Sequence, residues 1–251
     1  MRIEGTTALV TGANRGCGRA YVQALLDAGA AKVYACARRP ESVPFDDARV
    51  VALKLDLTFE DDIQAGAARA DDVALVIHNA GHCAYRALMS SPDLDGAGLE
   101  MTTNLWGPLA LTRALRPALQ AQGGGCVVTM LSVVAFANMP VIGSLSVTKA
   151  ALHNATQGLR AEMAQIGTQV VGVYPSMVDT DMMAGVDGPK LAPDALAREV
   201  VDGVAAGERE VFPGEQAKRI RDNLARDPKA VERRFAAYTP KARVRVAAES
   251  T

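Results

Sequence analysis

Short runs of apolar, often β-branched residues alternate along this chain with longer stretches in which apolar residues recur every three or four positions. The short runs predict strands over residues 8–10, 33–37, 50–55, 73–77, 127–131 and 170–174. The longer stretches predict helices over residues 19–28, 63–69, 99–119 and 143–166. In the last of these, Leu145, Leu152, Leu159 and Ile166 form an apolar stripe expected to face the core. Strands that alternate with helices build a parallel sheet covered by helices on both faces, so the fold class is α/β, doubly wound. No repeat or low-complexity linker interrupts the alternation, and residues 1–251 read as a single domain. From about Pro193 the chain is richer in charge, with a helix expected over 195–204 and an edge strand over 210–213. That part is expected to contribute to the substrate pocket or a subunit interface, and the residues after Pro240 to form a poorly ordered tail.

Composition narrows the classes. A length of 251 residues suits one α/β domain with a sizeable core. With 49% hydrophobic and 22% charged residues and a net charge of −1, the chain shows no sign of a nucleic-acid or membrane partner. Cys17, Cys36, Cys83 and Cys126 are scattered without ligand spacing, so neither a disulfide framework nor a metal site is expected. The apolar start, TTALVTGA, is too short for a signal peptide and reads as the first strand, which makes a cytoplasmic protein the expectation.

The first strand runs into Thr11-Gly12-Ala13-Asn14-Arg15-Gly16-Cys17-Gly18 and then into a helix. Glycines there permit a tight turn and let the backbone approach a pyrophosphate at the positive end of the helix. Strand, loop and helix together indicate a Rossmann-type dinucleotide site bordered by Gly12, Asn14, Arg15, Gly16, Cys17 and Gly18. The second strand bears on which dinucleotide. NAD-binding versions carry an acidic residue near its end, whereas this chain has Cys36, Ala37, Arg38 and Arg39. Two guanidiniums, with no carboxylate to repel a 2′-phosphate, favour NADP(H). The plainer reading makes Arg38 and Arg39 solvated surface charges.

The loop matches the Thr-Gly-x-x-x-Gly-x-Gly pattern of the short-chain dehydrogenase/reductase family. Residues 126–152, CVVTMLSVVAFANMPVIGSLSVTKAAL, resemble that family's catalytic segment. There a serine is followed thirteen residues later by the tyrosine of a Tyr-x-x-x-Lys motif. Here Ser132 is followed at that distance by Leu145, with Lys149 four beyond. The resemblance implies that Ser132 donates to a substrate carbonyl oxygen, that Lys149 binds the nicotinamide ribose, and that Asn104 holds a water in a proton relay. Asn104 also reads as a satisfied core polar residue. Arg15 resembles the basic loop residue of NADP-preferring members, and Asp56-Leu57 the adenine-binding pair, although Asp56 also reads as a cap. Asn79-Ala80-Gly81 resembles the Asn-Ala-Gly motif beside the cofactor, with His78 where another asparagine is usual. Pro175 and Thr180 fall in the segment that holds the carboxamide, with Ser176 in place of the usual glycine.

Leucine has no proton to give, and general acid catalysis is typically worth ~10²–10⁴-fold. The resemblance therefore implies an NADP(H)-dependent carbonyl reductase or alcohol dehydrogenase with reduced activity. His82, Tyr85 and His153 are the candidates for a substitute acid. Leu145 itself also reads simply as part of the helix's apolar stripe. Retention of Ser132 and Lys149 fits a binding protein that keeps Lys149 for the ribose, or a recent or engineered variant one substitution from a complete motif. Two alternatives stand beside the reductase: reduction of an already protonated C=N substrate, and a non-catalytic NADP(H)-binding protein. Val134, Phe136, Met139, Met177, Met182 and Met183 are candidates to line the pocket for an apolar part of the substrate, or to be core. The family resemblance further implies a homodimer or homotetramer.

Overall fold

Successive residues of a strand point to opposite sides of a sheet, and here each side finds its own layer of helices. The strands are β1 (Thr7–Thr11), β2 (Lys32–Ala37), β3 (Val50–Lys54), β4 (Leu75–His78), β5 (Gly125–Met130), β6 (Thr168–Val173) and β7 (Glu210–Val211). The helices are α1 (Gly16–Asp27), α2 (Glu60–Arg69), α3 (Asp95–Met101), α4 (Gly107–Ala121), α5 (Gly143–Ala164), α6 (Pro193–Ala206), α7 (Gly214–Arg226) and α8 (Pro228–Ala236). They come from a computed structural model, which describes residues 1–240. The seven strands form one parallel sheet in the order β3-β2-β1-β4-β5-β6-β7.

Ala8, Val10, Leu75, Ile77, Cys126 and Val128 face α1 and α6, while Leu9, Val76 and Val127 face α2, α4 and the end of α5. A third cluster joins Leu131, Val133 and Tyr174 to Phe212, Ile220, Val231 and Phe235, and so fixes α7 and α8 against the end of the sheet. The strand order reverses between β1 and β4. Connections leave those two strands in opposite directions, which opens a crevice at their C-terminal ends.

The single helix expected over 99–119 is corrected to two, α3 and α4, separated by a π-helical turn at Thr102–Trp106. Pro108 supplies the reason: it has no N–H for the carbonyl of Asn104, and its ring would crowd that carbonyl in a regular α-helix. The apolar stripe of α5 holds except at Leu145: Leu152 is buried, and Leu159 and Ile166 pack half-buried on the core, while Leu145 stands outside the apolar clusters. The rest of the buried face carries Gly143, Ser144, Ser146, Thr148, Thr156 and Met163. The hydroxyls of Ser146, Thr148 and Thr156 donate to carbonyls three or four residues back in the chain, so small polar side chains bury without loss. Ile166 lies past the end of α5. The edge strand of 210–213 shortens to Glu210–Val211, and the helix of 195–204 falls inside α6. The tail after Pro240 lies outside the described residues. Among the described residues no helix is long and apolar enough to cross a membrane.

Candidate functional site

The crevice is built first by glycines. Gly12 and Gly16 adopt φ of +67° and +52°, the left-handed region that side chains resist. A Cβ on Gly18 would lie 2.0 Å from the Gly12 carbonyl oxygen, so only glycine lets α1 start this close to β1. The loop after β4 is spliced onto the same place. Asn79 Nδ2 donates to the carbonyls of Thr11 (2.9 Å) and Gly12 (3.3 Å), and Thr11 Oγ1 accepts from the N–H groups of Asn79 (3.0 Å) and Ala80 (2.9 Å).

Above this floor, α1 begins with no side-chain cap at Arg15 and no acidic residue in its first turn, which leaves its N–H groups and positive end for an anion. Cys17 is half-buried there, and burial pushes its thiol up to about 11. Arg38 and Arg39 follow β2 on the surface, with no ion-pair partner among the described residues. Uncapped helix, close backbone and unpaired guanidiniums fit a dinucleotide with a phosphorylated ribose. Two candidates sit differently from expectation. Arg15 Nη1 meets Asp181 Oδ2 at 2.8 Å across the crevice instead of joining the other arginines. Asp56 Oδ1 accepts from the N–H (3.0 Å) and hydroxyl (2.7 Å) of Thr58, a local turn ahead of α2 and not a cap on that helix, while Leu57 is buried against Gly107.

Ser132 and Lys149 come together at the C-terminal end of β5, and Leu145 stands one turn before Lys149 on α5. Ser132 Oγ donates to the Pro175 carbonyl (3.1 Å) and accepts from the Val134 N–H (3.3 Å), so its proton must turn to reach a ligand. Lys149 Nζ donates to the Met130 carbonyl at 2.5 Å, two residues before Ser132. Burial pushes this amine down to about 8, opposed by the nearby Cys83 thiol. Leu145 is half-buried, one turn before Lys149, and belongs to none of the three apolar clusters. Asn104 is buried in the π turn. Its side chain accepts from the His82 N–H (2.8 Å) and donates to the His82 carbonyl (2.9 Å) and Thr148 Oγ1 (3.1 Å). It therefore ties the loop after β4 to α5, and Gly81 lies against it. Thr180 borders the glycine loop, its methyl 3.3 Å from where a Cβ on Gly16 would stand, and Pro175 receives Ser132.

Other candidates disperse. His153 faces an aromatic group of Phe136, Tyr174 and Phe212, with Nδ1 2.9 Å from the Tyr174 hydroxyl. Tyr85, at φ +53°, donates to the Met182 carbonyl. Val134 is core and Met139 packs on that core, whereas Met182 is 39% exposed beside the crevice. Three residues were missed by sequence reasoning: Asp181, which pairs with Arg15; Cys83, beside Lys149; and the wholly buried Glu100, whose Oε1 accepts from the Ala84 N–H. Their partners are distant in the chain or hidden behind its fold, and no local pattern marks them.

A family model for short chain dehydrogenase matches residues 6–190. The chain belongs to the short-chain dehydrogenase/reductase family of oxidoreductases. It is 38% identical to a short chain dehydrogenase from Burkholderia cenocepacia, solved in complex with NADP, at a TM-score of 0.90 over 96% of this chain and 100% of that one. It is 29% identical over 206 residues to an uncharacterized oxidoreductase of Staphylococcus aureus, covering 77% of this chain and 88% of the relative. A short chain dehydrogenase of Pseudocercospora fijiensis is 27% identical over 197 residues; the match takes in 74% of this chain and spans 64% of the relative's length.

Proposed function

We propose that this chain is an NADP(H)-dependent reductase or dehydrogenase acting on a carbonyl or alcohol with an apolar portion, at reduced rate because Leu145 stands at the general acid's position. The observation that carries the reading is the approach of Lys149 to the strand end that carries Ser132, beside a glycine-lined crevice, with Arg38 and Arg39 following β2. The bound cofactor supplies the hydride. Ser132 turns its hydroxyl from Pro175 to the substrate oxygen, and Lys149 serves the ribose end from its seat on Met130. The π turn, through Asn104, holds the loop after β4 in place over both. Exposed Met182, next to the Asp181 that pairs with Arg15, suits an apolar substrate portion. The solved relative with NADP supports the choice of cofactor. The part of the chain after Pro193 completes the pocket or a subunit interface in a homodimer or homotetramer.

Fluorescence titration with NADPH and NADH tests the cofactor assignment. A charge-assisted bond is worth about 1.5–3 kcal/mol, so NADPH is expected to bind at least roughly tenfold more tightly. The double substitution Arg38→Ala with Arg39→Ala should remove most of that preference. Equal affinities in the parent chain contradict it.

A further inference from the structure

With leucine at 145, the proton for a reduced carbonyl needs another source, and the titratable groups around the crevice differ in what they have free. The Ser132 proton is engaged by Pro175, and the hydroxyl is in any case too weak an acid alone. Tyr85 spends its proton on the Met182 carbonyl. His153 is turned into the aromatic group behind α5. Glu100 is wholly buried on α3, and the Cys83 thiol is held up by its own burial. The backbone of His82 is held by Asn104, and its imidazole, which has no hydrogen-bond partner among the described residues, is the rival donor. Lys149 is different. An ammonium has three protons, and the Met130 carbonyl takes one of them. No carboxylate pairs with it among the described residues, and the half-buried Leu145 one turn away carries no hydroxyl.

We propose that Lys149 is itself the proton donor of this chain, passing an Nζ proton to the carbonyl oxygen that Ser132 holds. The inference rests on the reductase reading above. The bookkeeping of the step is simple: carbon receives the hydride, the C=O π pair moves to oxygen and takes the Nζ proton, and the carbonyl becomes an alcohol. NADPH is oxidised to NADP⁺, and the neutral amine regains its proton from water. The Met130 carbonyl keeps hold of the nitrogen through both states. Burial gives the group an acidity near neutral pH, where a general acid is most effective. The titratable group that acts on it is the Cys83 thiol on the loop after β4, with Glu100 on α3 behind Cys83; the π turn contributes none. The donor is charged below about 8 and is lost as pH rises through that value.

Two measurements test this. The first needs no turnover: carbon-13 NMR of labelled lysine side chains in the free protein, with the Lys149→Met chain assigning the signal. Lys149 is expected to titrate near pH 8, and titration above 10 overturns the proposal. The second follows NADPH oxidation with an aromatic ketone at saturating cofactor from pH 6 to 10. The parent's rate should fall towards roughly tenfold per unit above pH 8, as for a single acid. Lys149→Arg keeps the charge and donors but does not release its proton. At saturating cofactor it should turn over at least tenfold more slowly, and without the parent's fall above pH 8. Parental turnover in Lys149→Arg, with the same pH profile, overturns the proposal. If Leu145→Tyr is active while the parent's slow rate ignores Lys149, the reductase reading stands and this inference falls. If neither chain transfers hydride, the reading falls and takes the inference with it.

Discussion

His78 shows how a departure from the family's pattern changes chemistry at one position. It is buried, with Nε2 2.7 Å from Thr112 Oγ1. The Thr112 hydroxyl already donates to the Pro108 carbonyl, so Nε2 of His78 must carry the proton, and Nδ1 has no partner. Burial pushes the imidazole down to about 4. In the unfolded chain it binds a proton near its ordinary 6.5, so from 6.5 down to about 4 the unfolded state holds more protons and stability falls with pH. The loss by pH 5 amounts to about 2 kcal/mol. His78→Asn should lack this component: urea midpoints at pH 7.5 and 5 should differ less than in the parent. Equal pH dependence in both chains contradicts the burial of a neutral imidazole. Positions of this kind were legible by spacing alone, because Gly12, Gly18, Asn79 and Lys149 are fixed by backbone approach and helical geometry. Their partners were not. Arg15 pairs with Asp181, 166 residues away, and Lys149 points to a strand carbonyl that no side-chain pattern reveals.

At the scale of elements, the π turn is what brings Asn104 to His82 and Thr148. A regular helix through Pro108 would leave the Asn104 carbonyl crowded and carry the side chain off the seam between α5 and the loop after β4. Asn104→Ala removes three hydrogen bonds and strands buried partners. It should cost about 2–4 kcal/mol in urea denaturation, with activity falling further than cofactor affinity. A cost below about 0.5 kcal/mol would mean the seam is held by packing instead. The sequence made the strands and the helices up to α6 recognisable through period, but α7 and α8 were not resolved within the charged C-terminal part, and the π turn escaped because apolar spacing continues on both sides of it. The buried face of α5 escaped for the opposite reason. Ser144, Thr148 and Thr156 look like surface residues by type, but two of them satisfy their hydroxyls on the helix's own carbonyls and Ser144 on the Arg86 carbonyl.

For the whole molecule, the segment after Ala192 is structural as well as terminal. Leu196, Val200, Val201, Val204 and Val211 complete the layer that α1 begins, and Phe212, Ile220, Val231 and Phe235 close the end of the sheet. At roughly 1.5–3 kcal/mol for each buried side chain, their removal matches or exceeds the ~5–15 kcal/mol by which such domains are stable. A chain ending at Ala192 should therefore be insoluble or unfolded by circular dichroism; a folded, cooperative truncation with full NADPH affinity would contradict this. What remains is whether the molecule is a reductase short of one hydroxyl. Leu145 is half-buried and outside the apolar clusters, so a phenol can be accepted there, one turn from the Lys149 ammonium that would lower its pKa. NADPH oxidation by parent and Leu145→Tyr chains, against a panel of aromatic and aliphatic ketones, is the most direct measurement. The tyrosine chain should reduce ketones at least about 10²-fold faster, with NADPH affinity little changed. A tyrosine chain that folds and binds NADPH yet reduces nothing better than its parent contradicts the account.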